Sequence, residues 1–413
     1  MDSRVSRPRN PQGRLHVVFL IRSFGFPKGT AATNRVLLLG RALVERDVAV
    51  RTLCIRVSDR PAQVLNHRVS GTLDGIRFLY TTGTTVRSNS FCMRRYRELR
   101  GYVIALAELA RLRRNGELDC VCFSDNPSRW YPSVWLMRRL LAAMGVPIVV
   151  QFNELPCDIV RRPAALSRRL SHLDAVNGAI AISEWLSTWA LHEAERIGRR
   201  VVIIEVPIVV DAYESPSADP RGRPSSDYVY SASHVYSDDR RFLLRAMTHV
   251  WRRRPDARLV VLGTDLDELA LLARYEGLDG AVADGRVVAM GYVTRADLLA
   301  RYHTAAALLV PLHDDDVSRA RFPTKIGEYL ASGRPVVTTR VGEIDRFLHD
   351  GETAFVAQTP DVEAFAAKMV EALEDPERAA HIGAAGRRVA EKHFHYDLHA
   401  ERLRAFFQRL SER

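Results

Sequence analysis

The chain alternates short, continuous apolar runs with longer stretches in which apolar residues recur every three or four positions. Continuous runs are typical of strands buried on both faces of a parallel sheet, and the longer stretches of amphipathic helices. Residues 212–226 interrupt this alternation with Ser, Pro, Asp, Arg and Gly, which predicts a linker. The pattern therefore predicts an α/β protein with two Rossmann-like, doubly wound domains, residues 1–211 and 227–390.

The same pattern places the individual elements. Predicted strands lie at 15–21, 48–54, 75–80, 120–124, 147–152, 177–183, 201–207, 228–232, 258–263, 287–291, 306–312, 335–339 and 354–357. Predicted helices between them include 33–45, 89–115, 131–144, 239–253 and 266–275. A closing helix, 391–413, carries Leu403, Phe406, Phe407 and Leu410 on one face, so we expect it to pack back on the first domain.

Composition narrows the class of protein. The 413 residues are 47% hydrophobic and 26% charged, as in ordinary globular proteins. No apolar run approaches the roughly 20 residues that span a bilayer, and residues 1–13 lack the apolar core of a signal peptide. The five cysteines are an odd set in which Cys120 and Cys122 alternate within an apolar run, so we interpret them as small buried residues. We expect a cytoplasmic location.

The net charge of +11 comes mainly from arginine. It is compatible with anionic lipid, phosphorylated substrates or nucleic acid. Residues 89–115 interleave arginines with Tyr102, Val103, Leu106, Leu109 and Leu112, which fits either a basic helix lying on an anionic membrane at its inner face or an ordinary solvated helix. The arginines do not follow a nucleic-acid-reading motif, so nucleic acid is not an expected partner.

Residues 321–339 form the most informative stretch. Pro323 favours a helix start, Gly333 a helix stop, and the residues after it a β-branched strand. The start of a helix presents backbone N–H groups to an anion, Lys325 adds a positive charge, and Glu328 could accept hydrogen bonds from a polyol such as ribose. A solvated lysine and a carboxylate that suits the helix dipole remain the alternatives.

Further candidates lie in the first domain, at the ends of predicted strands. Gly29 follows strand 15–21 in a loop without the G-x-G-x-x-G pattern, so it either lets a ligand approach the backbone or is a simple turn glycine. Asn153 and Glu154 follow strand 147–152, where open α/β sheets bind ligands, unless they only form a turn. The acidic run 314–316 is interpreted as solvated, so no metal is expected.

Several segments together resemble a known family. They are 322–337 (FPTKIGEYLASGRPVV), 341–344 (VGEI), 350–352 (DGE), 255–263 (PDARLVVLG), 291–311, and Val206-Pro207 with Asp211. This set is similar to the retaining GT-B glycosyltransferases of family four, the group-one glycosyltransferases. The resemblance is weak in the first domain and strong from about residue 228 onward. It implies two facing domains with a cleft between them, the second binding the donor and the first the acceptor.

The resemblance also implies roles for individual residues. Glu328 would be the second glutamate of the family's E-x7-E motif, which binds the donor ribose. The remaining roles are diphosphate contact by Thr324 and Lys325, donor-loop contact by Gly342 and Glu343, diphosphate and acceptor contact near Gly29, and catalytic contact with the sugar and acceptor by Asn153 and Glu154.

Departures from the family pattern concern the first glutamate and two basic residues. The first glutamate position is Ala320, and the usual basic residues at the start of the second domain fall near Ser233 and Asp238. Neutralisation of the diphosphate would then come from other cations. The candidates are Lys325, Arg319, Arg321, Arg240 and Arg241.

The expected function is transfer of a sugar from a nucleotide-sugar donor, with retention of configuration and no cofactor or metal. The expected acceptor is a glycan, a lipid-linked precursor or a small molecule, in cell-envelope, glycolipid or secondary-metabolite biosynthesis. A nucleotide-sugar 2-epimerase of the same fold and a non-catalytic partner that binds nucleotide sugars or glycans are the alternatives.

Overall fold

The computed structural model describes residues 13–125, 132–155, 171–214, 225–231 and 237–412. The chain divides into two units, residues 1–209 with 396–413, and residues 210–395. The expected division was 1–211, 227–390 and a returning segment 391–413. The structure instead groups residues 210–211 and 391–395 with the second unit. Most of the predicted linker lies outside the described residues.

The described part of the first unit contains an eight-stranded sheet in the order β3-β4-β2-β1-β5-β6-β7-β8. The strands are β1 His16–Ile21, β2 Ala49–Cys54, β3 Ser70–Leu73, β4 Ile76–Tyr80, β5 Cys120–Phe123, β6 Ile148–Phe152, β7 Gly178–Ala181 and β8 Val202–Glu205. All neighbours pair in parallel except β3, which is antiparallel to β4. The sequence analysis missed β3, although Asp74-Gly75 at its turn is a strong hairpin signal and both residues have positive φ.

The described helices of the first unit flank this sheet. They are α1 Ala31–Val44, α2 Phe91–Arg114, α3 Pro132–Ala143, α4 Glu184–Arg196 and the C-terminal Ala400–Ser411. The apolar face of that last helix is buried in the core formed around β1, with the rings of Phe19 and Phe407 6.5 Å apart. The prediction that this face packs on the first domain is confirmed. The segment before it is not α-helical as expected, since 390–394 form a π-helix and 396–399 a 3₁₀-helix.

In the second unit, the described strands form a six-stranded sheet, all of whose neighbours pair in parallel, in the order β11-β10-β9-β12-β13-β14. The strands are β9 Asp227–Ser231, β10 Arg258–Leu262, β11 Val287–Ala289, β12 Ala307–Val310, β13 Val336–Thr339 and β14 Phe355–Ala357. The helices are α5 Ser237–Trp251, α6 Leu266–Tyr275, α7 Asp279–Ala283, α8 Arg295–Thr304, α9 Asp316–Ala320, α10 Thr324–Ala331, α11 Ile344–Phe347, α12 Val362–Glu374 and α13 Pro376–Val389. The C-terminal helix Ala400–Ser411 is accordingly α14.

Each sheet has one point where the strand order changes direction. In the first unit it lies between β1 and β5, and in the second between β9 and β12. Open α/β sheets bind ligands beyond the carboxyl ends of the strands at such a point. The loop with Gly29 follows β1, and α10 begins soon after β12, so the topology places both predicted regions at these switch points.

Candidate functional site

Helix α10 has the form that the sequence predicts. It begins at Thr324 after Pro323, whose side chain cannot cap it, and Gly333 adopts a positive φ of 75° after its end. Strand β13 follows at Val336–Thr339. The first-turn N–H groups of α10 therefore lack a capping side chain at the N-cap position, and the helix start suits an anion.

Glu328 is held by an arginine from another helix. Its Oε1 accepts a hydrogen bond of 2.8 Å from Nη1 of Arg295, the first residue of α8. Arg295 also donates from Nε and Nη2 to the two carboxylate oxygens of Glu214, at 3.1 and 2.6 Å. The guanidinium thus bridges two carboxylates, and the Glu328 side chain is only 17% exposed.

Lys325 packs against an aromatic ring. Its Nζ lies 4.3 Å from the ring centroid of Tyr230, near the end of β9. Burial lowers the pKa of Lys325 to about 8, while the nearby Asp239 carboxylate opposes that shift. Burial therefore destabilises the charged form of Lys325, and a further negative group near Nζ would stabilise that form.

Asp239 is the buried anion of this region. It accepts a hydrogen bond from the Tyr230 hydroxyl at 2.7 Å, lies 3.0 Å from Nε2 of His313, and lies 3.8 Å from Nη2 of Arg321. Burial would raise the pKa of Asp239, but the His313 hydrogen bond and the charges of Arg321 and Lys325 lower it overall. The same hydrogen bond raises the pKa of His313. The structure therefore brings Lys325 and Arg321 together around one carboxylate.

Arg319 is paired with the acidic run 314–316. Its guanidinium contacts Asp314 and Asp316 at 2.5 and 3.4 Å, and Asp315 caps α9 by accepting from the Ser318 N–H. The carboxylates of residues 314–316 thus contact either the Arg319 guanidinium or the Ser318 N–H. Among the described residues, no group of three or more His, Cys, Asp or Glu side chains could hold a metal ion.

The donor-loop candidates lie beside α9. Gly342 has a φ of +63°, and a Cβ there would approach the Arg319 carbonyl oxygen to 3.0 Å. Glu343 immediately precedes α11, and its Oε2 lies 3.7 Å from Arg346. Thr324 is half-buried at the start of α10. Gly342 therefore needs to be glycine for two reasons, its positive φ and the close approach of the Arg319 backbone.

The basic candidates on α5 serve another purpose. Arg240 is buried and donates to Thr264 and to Glu268 at 2.6 Å, and Arg241 donates to Glu276 at 2.7 Å. These arginines hold α5 to the α6 region, and their role as diphosphate ligands stays a prediction. Asp238 lies in the first turn of α5, and Ser233 lies outside the described residues.

The first-unit candidates lie at strand ends as expected. Thr33 donates its hydroxyl to the Gly25 carbonyl at 2.8 Å and accepts from the Thr30 N–H, and a Cβ on Gly29 would collide with that hydroxyl. This packing reason for glycine could not be predicted from the sequence, because it depends on the contact between Thr33 and Gly25. Asn153 is half-buried and Glu154 exposed directly after β6, and their catalytic role stays a prediction.

Sequence reasoning missed the partners of the two central side chains. Tyr230, Asp239, Arg295 and His313 were not named as site residues. A signal existed for Tyr230 and His313, because both lie near the carboxyl ends of the adjacent strands β9 and β12. Arg295 and Asp239 carried no such local signal, since a charged residue in a first helical turn is commonplace.

A family model matches part of the second unit. Residues 227–375 match the family model described as "Glycosyl transferases group 1". The chain is 26% identical over 261 residues to a phosphatidyl-myo-inositol mannosyltransferase of Mycolicibacterium smegmatis, covering 61% of this chain and 63% of that protein. It is 30% identical over 165 residues to a GDP-mannose-dependent alpha-(1-6)-phosphatidylinositol monomannoside mannosyltransferase of the same organism, covering 39% and 42%. The chain thus spans less than two thirds of either relative.

Solved structures resemble the whole chain. Sucrose-phosphate synthase from Thermosynechococcus elongatus superposes with a TM-score of 0.70 at 18% identity, covering 96% of this chain and 99% of that one. Anabaena HepE in complex with UDP and glucose superposes with a TM-score of 0.67 at 15% identity, covering 96% and 100%. At these identities the likeness shows the fold alone, which is GT-B, with two Rossmann-like domains.

Proposed function

We propose that this protein transfers a sugar from a nucleoside diphosphate sugar to an acceptor, with retention of configuration and without a metal, because residues 227–375 match the group 1 glycosyl transferase model. One observation carries the proposal. Helix α10 starts without a side-chain cap at the switch point of the second sheet, with Lys325 in its first turn and Glu328 one turn on. Those groups match the phosphate and sugar hydroxyls of a nucleotide.

The reaction needs stabilisation of the departing diphosphate. Lys325 and Arg321, with the backbone at Thr324, supply positive charge and N–H donors without rearrangement during the reaction. Glu328 accepts hydrogen bonds from the ribose, and the backbone at Gly342 and Glu343 borders the donor. We give Arg319 no part in neutralising the diphosphate, because its guanidinium is paired with Asp314 and Asp316.

We assign the sugar and acceptor contacts to the first unit. Asn153 and Glu154 follow β6, and Gly29 follows β1, which borders the switch point of the first sheet. In the proposed front-face transfer, the leaving diphosphate takes the acceptor proton as the acceptor oxygen bonds to the same face of the sugar. Asn153 and Glu154 orient the two reactants.

The acceptor is proposed to be a glycan, a glycolipid or another lipid-linked precursor, which fits a peripheral position at an anionic membrane. Helix α2 supports this, because Tyr96, Leu99 and Val103 lie along one face and are 61, 65 and 55% exposed. Arginines surround the exposed ring of Phe91 on the same helix. Among the described residues, no helix is both long and apolar enough to cross a bilayer.

The decisive experiment is a thermal-shift screen with UDP, GDP, ADP and their sugars, followed by turnover assays with the sugar that binds. A bound donor raises the unfolding temperature by mass action. We expect Glu328→Gln to remove most of the shift and of the transfer activity, and Glu374→Gln, on the surface of the same unit, to preserve both. Full transfer by the Glu328 variant would overturn the proposal.

The same assay separates the alternative functions. An epimerised nucleotide sugar formed without acceptor would indicate a 2-epimerase. Donor binding without turnover across an acceptor panel would indicate a non-catalytic binding protein, which Ala320 in place of the family's glutamate makes worth testing.

A further inference from the structure

Arg295 joins two carboxylates that are far apart in the chain. Glu214 lies just after the crossing into the second unit, and Glu328 lies on α10. Arg295 engages both oxygens of Glu214 and Oε1 of Glu328. A planar guanidinium can do this because its five N–H groups have fixed directions, whereas a lysine ammonium would act as a single point charge.

The bridge borders open space rather than closed core. Glu214, Arg295 and Glu328 line one small cavity together with Asp211 and His303. The side chains of Arg295 and Glu214 are 34 and 38% exposed, against 17% for Glu328. The carboxylate of Glu328 is therefore the most enclosed of the three groups, and Arg295 is held from the solvent side by Glu214.

Arg295 keeps its positive charge between the two carboxylates. Burial would lower its pKa, but Glu328 and Glu214 raise the pKa overall, so it stays protonated. A guanidinium that bridges two carboxylates also holds the plane of the Glu328 carboxylate in one orientation. A fixed orientation is needed in a group that binds two neighbouring hydroxyls.

We infer that Arg295 is a positioning residue, anchored by Glu214, that fixes the Glu328 carboxylate in the orientation that accepts the ribose hydroxyls of the donor. The inference rests on the proposed function and adds to it a determinant of ribose recognition. Arg295 acts through Glu328, so its removal should affect the ribose hydroxyls selectively and leave the base and diphosphate contacts in place.

The test is the ratio of affinities for a ribonucleoside diphosphate and its 2′,3′-dideoxy form, measured by calorimetry on the full chain. UDP, GDP and ADP are tried, and the one that binds is used. We expect the unaltered protein to prefer the ribo form, and Arg295→Gln to reduce this preference by about tenfold. Glu328→Gln should remove the preference, and the double variant should match Glu328→Gln, because both changes act on one interaction.

Two further variants complete the design. Arg301→Gln, an exposed position on the same helix, is the matched control and should keep the original ratio. Glu214→Gln should lower the ratio, because it weakens the ion pair that holds Arg295. Glu214 is at the surface, so this variant should fold, and it replaces Arg295→Gln in the test if that variant does not fold. An unchanged or increased ratio in the Arg295 variant, or in Glu214→Gln where that variant replaces it, overturns the inference. Absence of any nucleoside diphosphate binding to the unaltered protein would instead overturn the proposed function.

Discussion

At the scale of single residues, Lys325 is the side chain whose charge state should respond to a donor. Its pKa of about 8 lies below the ordinary value of 10.5 because of burial. The unfolded chain therefore binds more protons at this position between those two pH values. The contribution of Lys325 to the free energy of unfolding should accordingly increase with pH across that window when no donor is bound.

A bound diphosphate reverses this preference. It places negative charge near Nζ and raises the pKa of Lys325, so we predict proton uptake when a nucleoside diphosphate binds at about pH 8. Calorimetry in two buffers of different ionisation enthalpy measures the number of protons taken up. Lys325→Met should abolish most of the uptake and weaken binding, whereas Lys368→Met, in a surface ion pair with Asp350 and Glu371, should change neither. Equal uptake by the Lys325 variant and the unaltered protein would contradict the assignment.

At the scale of elements, the turn between β13 and α11 depends on a glycine. Gly342→Ala introduces a side chain at a positive φ and pushes it against the Arg319 backbone. We predict a loss of about 1–2 kcal/mol in the free energy of unfolding, with weaker nucleotide binding. Gly277→Ala is the matched control, because Gly277 has a φ of +71° and open space around it. If both variants lose the same stability and binding, the close approach at Gly342 has no role.

Helix α2 gives a second prediction at this scale. Replacing Tyr96, Leu99 and Val103 together with Ser removes the exposed apolar stripe, so binding to vesicles that contain anionic lipid should be lost. Co-sedimentation with such vesicles measures this. The control replaces Leu266, Leu271 and Tyr275 on α6, which are similarly exposed but belong to the other unit. This control variant should bind as the unaltered protein does. Binding that is insensitive to the α2 changes would contradict the membrane-facing assignment.

How far the sequence could predict these elements depends on the range of the interactions involved. Helix α10 and its glycine stop were predictable because proline, glycine and β-branched residues act on their own backbone. The partner of Glu328 was not, because Arg295 is 33 positions away and meets it only when α8 packs beside α10. Likewise the apolar spacing of α2 left open which flank faces the core: Tyr102 is buried and Val103 is exposed, because only the packing of the helix decides this.

At the scale of the whole molecule, the first unit is completed by the end of the chain. Helix α14 contributes Leu403, Phe406, Phe407 and Leu410 to the core around β1, whereas the main core cluster among the described residues of the second unit lies between residues 228 and 382. Burying each large apolar side chain contributes about 1.5–3 kcal/mol. Four of them together contribute about as much as the 5–15 kcal/mol by which a typical domain is stable.

The two units should therefore respond differently to truncation. We predict that a chain ending at residue 395 loses the cooperative unfolding of the first unit, because the surface left by α14 exposes apolar side chains of β1 and α1. The fragment 210–395 should fold alone and retain the thermal shift with nucleoside diphosphates.

Calorimetric unfolding with limited proteolysis measures both outcomes. The full chain carrying Phe407→Ala is the intermediate case, and we expect it to lower the unfolding temperature of the first unit only. A chain ending at 395 that keeps both transitions would show that α14 is dispensable for the first core, and the fragment's failure to fold would show that the second unit depends on residues outside 210–395.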